Sequence, residues 1–236
     1  ILNGADYDVW NPSTDAYLPE RYTSEDLSGK AACKAALQAE FGLPVSANTP
    51  LLGTVSRFDD HKGLDLIHEA LDLLLLDGEI QFVILGEGKP ELERMFTEMR
   101  SRFPRQVGVF VAYDEEKAHR IQAGADIFLM PSRYEPCGLA QLHAMKYGTP
   151  PVVRQAGGLA DTVRDYNDAQ RDGHGFVFSQ MEPKDFMQAI GRALALYRDK
   201  TAWTALQRRA MARDFSWTRS AEKYENLYQR VLEGSI

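Results

Sequence analysis

Short apolar runs alternate with longer amphipathic segments from residue 50 onward. The apolar runs have the length and residue types of β-strands. They cover residues 51–55, 80–85, 107–111, 127–130, 151–154 and 175–178. Because runs this apolar must be covered on both faces, the pattern predicts a parallel sheet with helices on either side. The predicted fold class is α/β, with a doubly wound, Rossmann-like sheet.

The segments between these runs have the periodicity and the end signals of helices. Good helix formers fill residues 28–41, and Gly42 and Pro44 end that helix. The other predicted helices cover residues 63–76, 90–103, 115–122, 139–147, 159–165, 183–198, 202–213 and 218–232. Residues 1–24 are rich in turn-forming residue types without periodicity, so we predict that they form an ordered loop.

Composition narrows the classes of function. Hydrophobic residues make up 44% of the chain and charged residues 26%, as in ordinary globular proteins. The formal charge of -7 argues against a non-specific partner such as nucleic acid or an anionic membrane, so any phosphate recognition must come from a few placed cations. The two cysteines, Cys33 and Cys137, are too few for a disulfide framework. The longest apolar cluster, residues 71–76, is too short for a membrane span.

The loop after the first predicted strand carries two cations, Arg57 and Lys62, close together in sequence. Ligands of a doubly wound sheet bind at the carboxyl ends of its strands, where this loop begins. Arginine grips two phosphate oxygens at once and lysine adds a mobile charge, so the pair suits a diphosphate. An equally consistent interpretation is a solvated loop in which Asp59 and Asp60 pair with these cations.

The loop after the fourth predicted strand has the densest set of unusual residues. Glu135 precedes Pro136, which favours extended backbone at Glu135 and places its carboxylate at the mouth of the sheet. The following residues, Cys137, Gly138 and Leu139, open a helix whose first N–H groups can bind phosphate. The alternatives are a helix-capping charge at Glu135 and a small buried hydrophobe at Cys137. We favour a binding site for a nucleotide-sugar.

Weaker signals lie elsewhere. Residues 86–89 lack the third glycine of a dinucleotide fingerprint, so we interpret them as a tight turn. The glycine pair at 157–158 allows close backbone approach but also serves any turn. Asp6 and Asp8 have the spacing of a metal–diphosphate motif but lie in the terminal loop, and the histidines and cysteines have no metal-ligand spacing. Tyr113 suits stacking on a base, or is an ordinary loop tyrosine.

Taken together, the motifs resemble the C-terminal domain of bacterial glycogen synthase and plant starch synthase, which are retaining glucosyltransferases of the two-domain GT-B architecture. The matching segments, in chain order, are Leu2-Asn3-Gly4, Trp10-Asn11-Pro12, Ser56-Arg57-Phe58, Lys62-Gly63, Tyr113-Asp114, Ala118-His119-Arg120, the stretch from Pro131 to Leu139, Gly157-Gly158-Leu159 and Asp161-Thr162-Val163. The chain departs from the family at Ala140, where threonine is common, at His61, where glutamine is common, and at Lys89, where aspartate is usual.

The resemblance implies roles for particular residues. Arg57 and Lys62 would neutralise the leaving diphosphate of ADP-glucose, and Glu135 would hold the hydroxyls of the donor glucose. The ring of Tyr113 would stack on the base, and the backbone N–H groups of Cys137, Gly138 and Leu139 would contact the phosphate and the sugar. Ala140 would also lie at the nucleotide, where it lacks the hydroxyl of the family's threonine and so weakens that contact.

The implied reaction is transfer of glucose from ADP-glucose to the non-reducing end of an α-1,4-glucan, with retained configuration and without a metal or other cofactor. Two alternatives remain open: a retaining GT-B glycosyltransferase that uses a UDP-sugar, and a nucleotide- or glucan-binding module without chemistry. The implied compartment is the bacterial cytoplasm or the plastid stroma.

The resemblance also implies a domain organisation. Residues 1–236 would form one nucleotide-sugar domain, with a loop-rich linker at 1–27, a Rossmann-like core at about 28–200 and C-terminal helices at about 200–236. The final helices would cross back to an N-terminal acceptor domain that precedes residue 1. We therefore expect this fragment to be inactive by itself.

Overall fold

The computed structural model describes residues 1–167 and 169–234. Asp168 and the last two residues of the predicted C-terminal helical segment, 235 and 236, lie outside the described residues.

The centre of the described chain is a six-stranded, all-parallel sheet. Its strands are β1 (Leu51–Val55), β2 (Gln81–Gly86), β3 (Val107–Val111), β4 (Ile127–Met130), β5 (Pro151–Arg154) and β6 (Phe176–Phe178). They lie in the order β3-β2-β1-β4-β5-β6, so the chain winds outward from β1, then returns to start β4 on the other side of β1. The predicted doubly wound α/β fold is confirmed, and its switch point lies between β1 and β4.

Helices connect and cover the strands. They are α1 (Ser28–Glu40), α2 (Leu64–Leu74), α3 (Pro90–Arg102), α4 (Glu115–Gly124), α5 (Ala140–Lys146), α6 (Gly157–Thr162), α7 (Pro183–Arg198), α8 (Lys200–Met211) and α9 (Trp217–Leu232). Helix α8 begins two residues earlier than predicted because the Asp199 carboxylate accepts the N–H groups of Thr201 and Ala202 and caps it. Helix α6 also begins two residues early, at Gly157, and ends at Thr162.

Both faces of the sheet are covered, as the apolar runs predicted. Successive residues of β1 point to opposite sides. Leu52 joins a cluster with residues of α2, α3 and α7, whereas Leu51 joins a cluster with residues of α1 and α4. Both side chains are 0% exposed. The strand ends, rather than the strand faces, are therefore the parts of the sheet available to a ligand.

The N-terminal loop docks on α4 and α5. The Trp10 ring stacks between the rings of His119 and His143, with centroid distances of 3.7 and 4.0 Å. The Asp15 carboxylate lies 2.7 Å from Nδ1 of His119 and accepts a 2.5 Å hydrogen bond from the Tyr147 hydroxyl. This buried network ties the loop to the helix that follows β4.

Helix α9 is the least packed helix of the described chain. Its only buried side chain is Ser220, although its apolar residues recur at helical spacing along one face. The exposed apolar side chains of this face are those of Trp217, Tyr224, Leu227, Tyr228 and Val231. None of the helices in the described residues is both long enough and apolar enough to span a membrane.

We predict that stability falls as the pH drops below about 6.5. Burial and the nearby His119 lower the pKa of His143 to about 3, and burial and nearby arginines lower the pKa of His174 to about 4. Each histidine is neutral in the fold and takes up a proton on unfolding, which favours the unfolded state by about 2 kcal/mol at pH 5.

Urea unfolding at about pH 7.5 and pH 5 measures this loss. Replacing His143 by Gln should reduce the difference between the two pH values, whereas replacing the exposed His61 by Gln should leave it unchanged. An unfolding free energy that is equal at both pH values would contradict the prediction.

Candidate functional site

The β1–α2 loop carries Lys62 to the switch point. The Asp59 carboxylate accepts the N–H of His61 at 2.9 Å and caps a short 3-10 turn, Asp60–Lys62. Gly63 ends the turn in the left-handed region, with φ of 68°. A Cβ at Gly63 would overlap the carbonyl oxygen of Pro131, in the loop after β4. The glycine therefore lets the two loops of the switch point meet.

The β2–α3 loop supports the β1–α2 loop from behind. The N–H of Phe58 donates to the Glu87 carbonyl, and the N–H of Lys89 donates to the Phe58 carbonyl, both at 2.8 Å. The Lys89 ammonium also pairs with the Asp60 carboxylate at 2.5 Å. Residues 86–89 thus brace the loop carrying Arg57 and Lys62, but they do so as an extended segment: Gly86 ends β2, and Gly88 pairs with Phe58 in an isolated parallel bridge. The interpretation of these residues as a tight turn was wrong, because the pairing with the β1–α2 loop keeps them extended.

Lys62 and Glu135 are in direct contact at the switch point. Lys62 Nζ lies 2.7 Å from Glu135 Oε2, and the Ser132 hydroxyl donates to the same oxygen at 3.2 Å. Glu135 is 7% exposed, and Lys62 is partly buried. Because Asp59 caps a turn and Asp60 pairs with Lys89, neither is the partner of Lys62. The alternative of a solvated loop does not describe Lys62.

Arg57 lies at the mouth of the same crevice with an exposed side chain. Among residues 1–167 and 169–234, its guanidinium forms no hydrogen bond or salt bridge. Beside it, a cavity of about 180 Å³ opens between the ends of β1 and β4. Its polar and loop lining includes Ser56, Arg57, Lys62, Ser132, Glu135, Gly138, Leu139 and Ala140. Typical ligand pockets span roughly 300–1,000 Å³, so this cavity suits part of a large ligand.

The segment before α5 has backbone donors beside this cavity that lack a protein partner among the described residues. In the described part of the chain, the backbone N–H groups of Cys137, Gly138 and Leu139 donate to no protein acceptor. Gly138 and Leu139 line the cavity, and Cys137 is half-buried beside them without lining it. Arg57 and the N–H groups of Gly138 and Leu139 can bind an anion at this cavity, and so can Lys62 when it leaves Glu135.

The glycine pair at 157–158 lies behind the Glu135 loop. The N–H of Gly158 donates to the Glu135 carbonyl at 2.9 Å. A Cβ at Gly157 would overlap the Glu135 carbonyl oxygen, and one at Gly158 would overlap that of Cys137. The pair therefore serves the close approach of two backbones and fixes the peptide that carries Glu135.

Tyr113 lies apart from this group. It follows the edge strand β3, separated from β1 by β2, and its side chain is 76% exposed. It does not line the cavity at the switch point. Base stacking by Tyr113 stays a prediction.

The aspartates of the terminal loop form a turn. Asp6 Oδ1 accepts the N–H groups of Asp8 and Val9. The described residues contain no group of three or more histidine, cysteine, aspartate or glutamate side chains that could hold a metal ion.

The sequence pattern did not indicate several residues that shape the site. The Arg133 guanidinium is held by both carboxylate oxygens of Asp65, at 2.6 and 2.5 Å, which ties the loop after β4 to helix α2. Ser132 supports Glu135, and the buried Gln141 donates to the carbonyls of the Glu135 loop. The only available signal was position, since all three residues lie in or beside the loop after β4.

Comparison with known proteins identifies the family. The model of the family described as glycosyl transferases group 1 matches residues 38–209, more than half of the chain. The chain belongs to the group 1 glycosyl transferases.

The similarity to glycogen synthases extends over nearly the whole chain. The chain is 51% identical over 231 residues to glycogen synthase of Anaeromyxobacter sp. (strain Fw109-5), covering 98% of this chain and 48% of that protein. It is 50% identical over 235 residues to glycogen synthase of Thioalkalivibrio sulfidiphilus (strain HL-EbGR7), covering 98% and 49%. This group 1 glycosyl transferase chain therefore spans about half the length of these relatives.

A solved structure has the same fold. The catalytic domain of starch synthase IV from Arabidopsis thaliana, bound to ADP and acarbose, matches with a TM-score of 0.91 and 39% identity. The match covers 98% of this chain and 48% of that one. The resemblance to glycogen and starch synthases, and the GT-B-like fold that it implied, are confirmed.

We predict that Gly63→Ala is far more damaging than Gly42→Ala. Both glycines have a positive φ, 68° and 70°, so alanine costs about 1–2 kcal/mol at each from the backbone alone. Nothing lies within 4 Å of a Cβ at Gly42, whereas one at Gly63 meets the Pro131 carbonyl. Overpacking should add about 1–3 kcal/mol in this glycosyl transferase chain.

Urea unfolding of the two variants gives the comparison directly. Equal losses of unfolding free energy would show that the β1–α2 and β4–α5 loops do not depend on close contact at Gly63.

Proposed function

We propose that this chain is the donor-binding half of a glycogen or starch synthase. The enzyme would transfer glucose from ADP-glucose to the non-reducing end of an α-1,4-glucan, with retention of configuration. The observation that carries the proposal is the contact of Lys62 with Glu135 at the switch point, beside the exposed guanidinium of Arg57. The similarity to proteins named glycogen synthase supports the choice of reaction.

The chemical demand of this reaction is the departure of an anionic diphosphate. Negative charge grows on the leaving group as the anomeric C–O bond breaks, so fixed positive groups lower the barrier. Lys62 and Arg57 supply two cations at one mouth of the sheet, and Gly138 and Leu139 add backbone N–H groups. We assign Arg57 and Lys62 to the diphosphate and Glu135 to the hydroxyls of the donor glucose.

Lys62 and Glu135 exchange partners in this proposal. In the structure, the two charges neutralise each other at 2.7 Å. With donor, the ammonium of Lys62 turns toward the diphosphate, and the carboxylate of Glu135 accepts hydrogen bonds from the sugar. Oxygen Oε1 of Glu135 accepts no hydrogen bond from the described residues, so it is available to a hydroxyl before the pair separates.

The nucleotide choice rests on the relatives. We propose ADP as the nucleotide because the similar starch synthase IV structure is bound to ADP. We also propose that the reaction needs no metal, because placed cations of the chain meet the charge of the diphosphate. The bacterial cytoplasm or a plastid stroma is the proposed compartment, in keeping with two free cysteines.

A second half is needed for acceptor binding in this proposal. The chain covers 48% of the Anaeromyxobacter glycogen synthase, and the cavity is small for a complete nucleotide-sugar site. The exposed apolar face of α9 supports the crossing of this helix to the other half. We propose that the remaining half supplies the acceptor site and the opposite wall of the crevice.

We predict that the 236-residue chain binds ADP more tightly than UDP and extends no glucan by itself. Isothermal titration with ADP, UDP and ADP-glucose measures the first point, and incubation with ADP-glucose and a maltooligosaccharide measures the second. A preference for UDP would favour the UDP-sugar enzyme. Absence of nucleotide binding would overturn the proposal, and glucan synthesis by this chain would contradict the need for a second half.

We predict opposite effects of Glu135→Gln on binding and on transfer. Removing the negative charge releases Lys62, so ADP should bind about three- to tenfold more tightly, an effect of about 1 kcal/mol. In the enzyme with both halves, transfer should fall by about a hundredfold or more.

Lys62→Ala is the matched variant on the other side of the pair. The barrier to transfer should rise by about 3–4 kcal/mol. The loss in donor-binding free energy should be much smaller. Full activity of Glu135→Gln would make Glu135 a helix cap only. Equal rates for Lys62→Ala and the parent would remove Lys62 from the chemistry.

A further inference from the structure

Gln141 is a fully buried residue in the first turn of α5, immediately behind the Glu135 loop. Its Nε2 donates to the carbonyl oxygens of Cys137 and Gly138, at 3.1 and 3.0 Å. It does not line the cavity at the switch point. Gln141 therefore holds the backbone of the loop without contacting the space in which a ligand would lie.

The neighbours of Gln141 fix the orientation of its amide. The Thr162 hydroxyl donates to the Gly158 carbonyl at 2.6 Å, so its oxygen is an acceptor toward Gln141. The Gln141 amide thus faces three acceptors, and only its NH₂ group can donate to them, with one of its two N–H bonds shared between two acceptors. The reversed orientation would place an oxygen against three oxygens.

This anchoring sets the direction of two backbone N–H groups. In a trans peptide, the C=O and N–H bonds point in opposite directions. The Cys137 carbonyl shares its peptide with the N–H of Gly138, and the Gly138 carbonyl shares its peptide with the N–H of Leu139. Because both carbonyls point at Gln141, both N–H groups point away from it. Gly138 and Leu139 line the cavity.

The same network reaches Glu135. Thr162 holds the carbonyl of Gly158, whose N–H donates to the Glu135 carbonyl at 2.9 Å. Gln141 thereby links the backbone at Glu135 with the two peptides that follow Cys137. The acid and the N–H donors of the site are held as one unit.

We propose that Gln141 is a positioning residue for the donor, which holds the N–H groups of Gly138 and Leu139 toward the donor diphosphate. The inference rests on the proposed function, since it takes the ligand to be a nucleoside diphosphate. Gln141 acts through these peptides and contacts no reacting atom.

Titration of the 236-residue chain with ADP tests the inference. Gln141→Met keeps the size and burial of the side chain and removes its hydrogen bonds. We expect ADP to bind about tenfold more weakly or worse, since two N–H groups lose their direction toward a charged ligand.

Gln122→Met is the matched control. Gln122, in α4, is 2% exposed, and its Nε2 donates to the Ala140 carbonyl at 3.2 Å. This variant also loses a buried hydrogen bond next to α5, but no peptide of the 137–139 segment depends on it. Its ADP affinity should stay within about twofold of the parent.

The outcomes separate the inference from the proposed function. If the parent binds no ADP, the proposed function fails, and the inference fails with it. If the parent binds and Gln141→Met binds equally well, only the inference is overturned. Equal weakening by Gln122→Met would also overturn it, because the loss would reflect general loosening of α5.

A second pair of variants tests the same inference if Gln141→Met does not fold. Thr162→Val removes the hydroxyl at nearly constant shape, and Thr162→Ser keeps it. We expect weaker ADP binding for the valine variant and parent-like binding for the serine variant. Parent-like binding by both would contradict the inference.

Discussion

The ion pair between Lys62 and Glu135 is the interaction on which the rest of the site depends. The two residues are 73 positions apart in sequence, and they meet because β1 and β4 are neighbours at the reversal of strand order. Each loop is shaped to bring its charge there. Asp59 caps the turn before Lys62, and Gly63 permits the contact with Pro131. The β2–α3 and β5–α6 loops brace these two loops from behind.

The pair also explains how the charges of Lys62 and Glu135 are tolerated in a half-buried crevice. An isolated carboxylate that is 7% exposed would carry a large desolvation cost, which a cation at 2.7 Å offsets. In the proposed function, the diphosphate and the sugar of the donor replace these partners, so donor binding leaves neither charge unpaired. In the proposed function, Arg57, exposed and without a protein partner among the described residues, supplies a second cation to the diphosphate.

Much of the fold could be predicted from the local pattern of apolar and polar residues, whereas the contacts of the site could not. The apolar runs predicted the strands to within one residue at each end, because burial on both faces leaves a continuous signal. Lys62 and Glu135 were recognisable as candidates from residue type and loop position. Their contact depends on strand order, which periodicity does not encode. Gln141 looked like an ordinary helix residue, since its hydrogen bonds to Cys137, Gly138 and Thr162 arise only in the folded chain.

A crystal structure of the chain with ADP-glucose bound tests most directly whether Lys62 and Glu135 hold the donor. We predict that Lys62 Nζ then contacts a diphosphate oxygen, that Glu135 accepts hydrogen bonds from the glucose hydroxyls, and that the distance between Lys62 and Glu135 exceeds its present 2.7 Å. A structure with the nucleotide-sugar bound elsewhere and the Lys62–Glu135 contact intact would contradict this prediction.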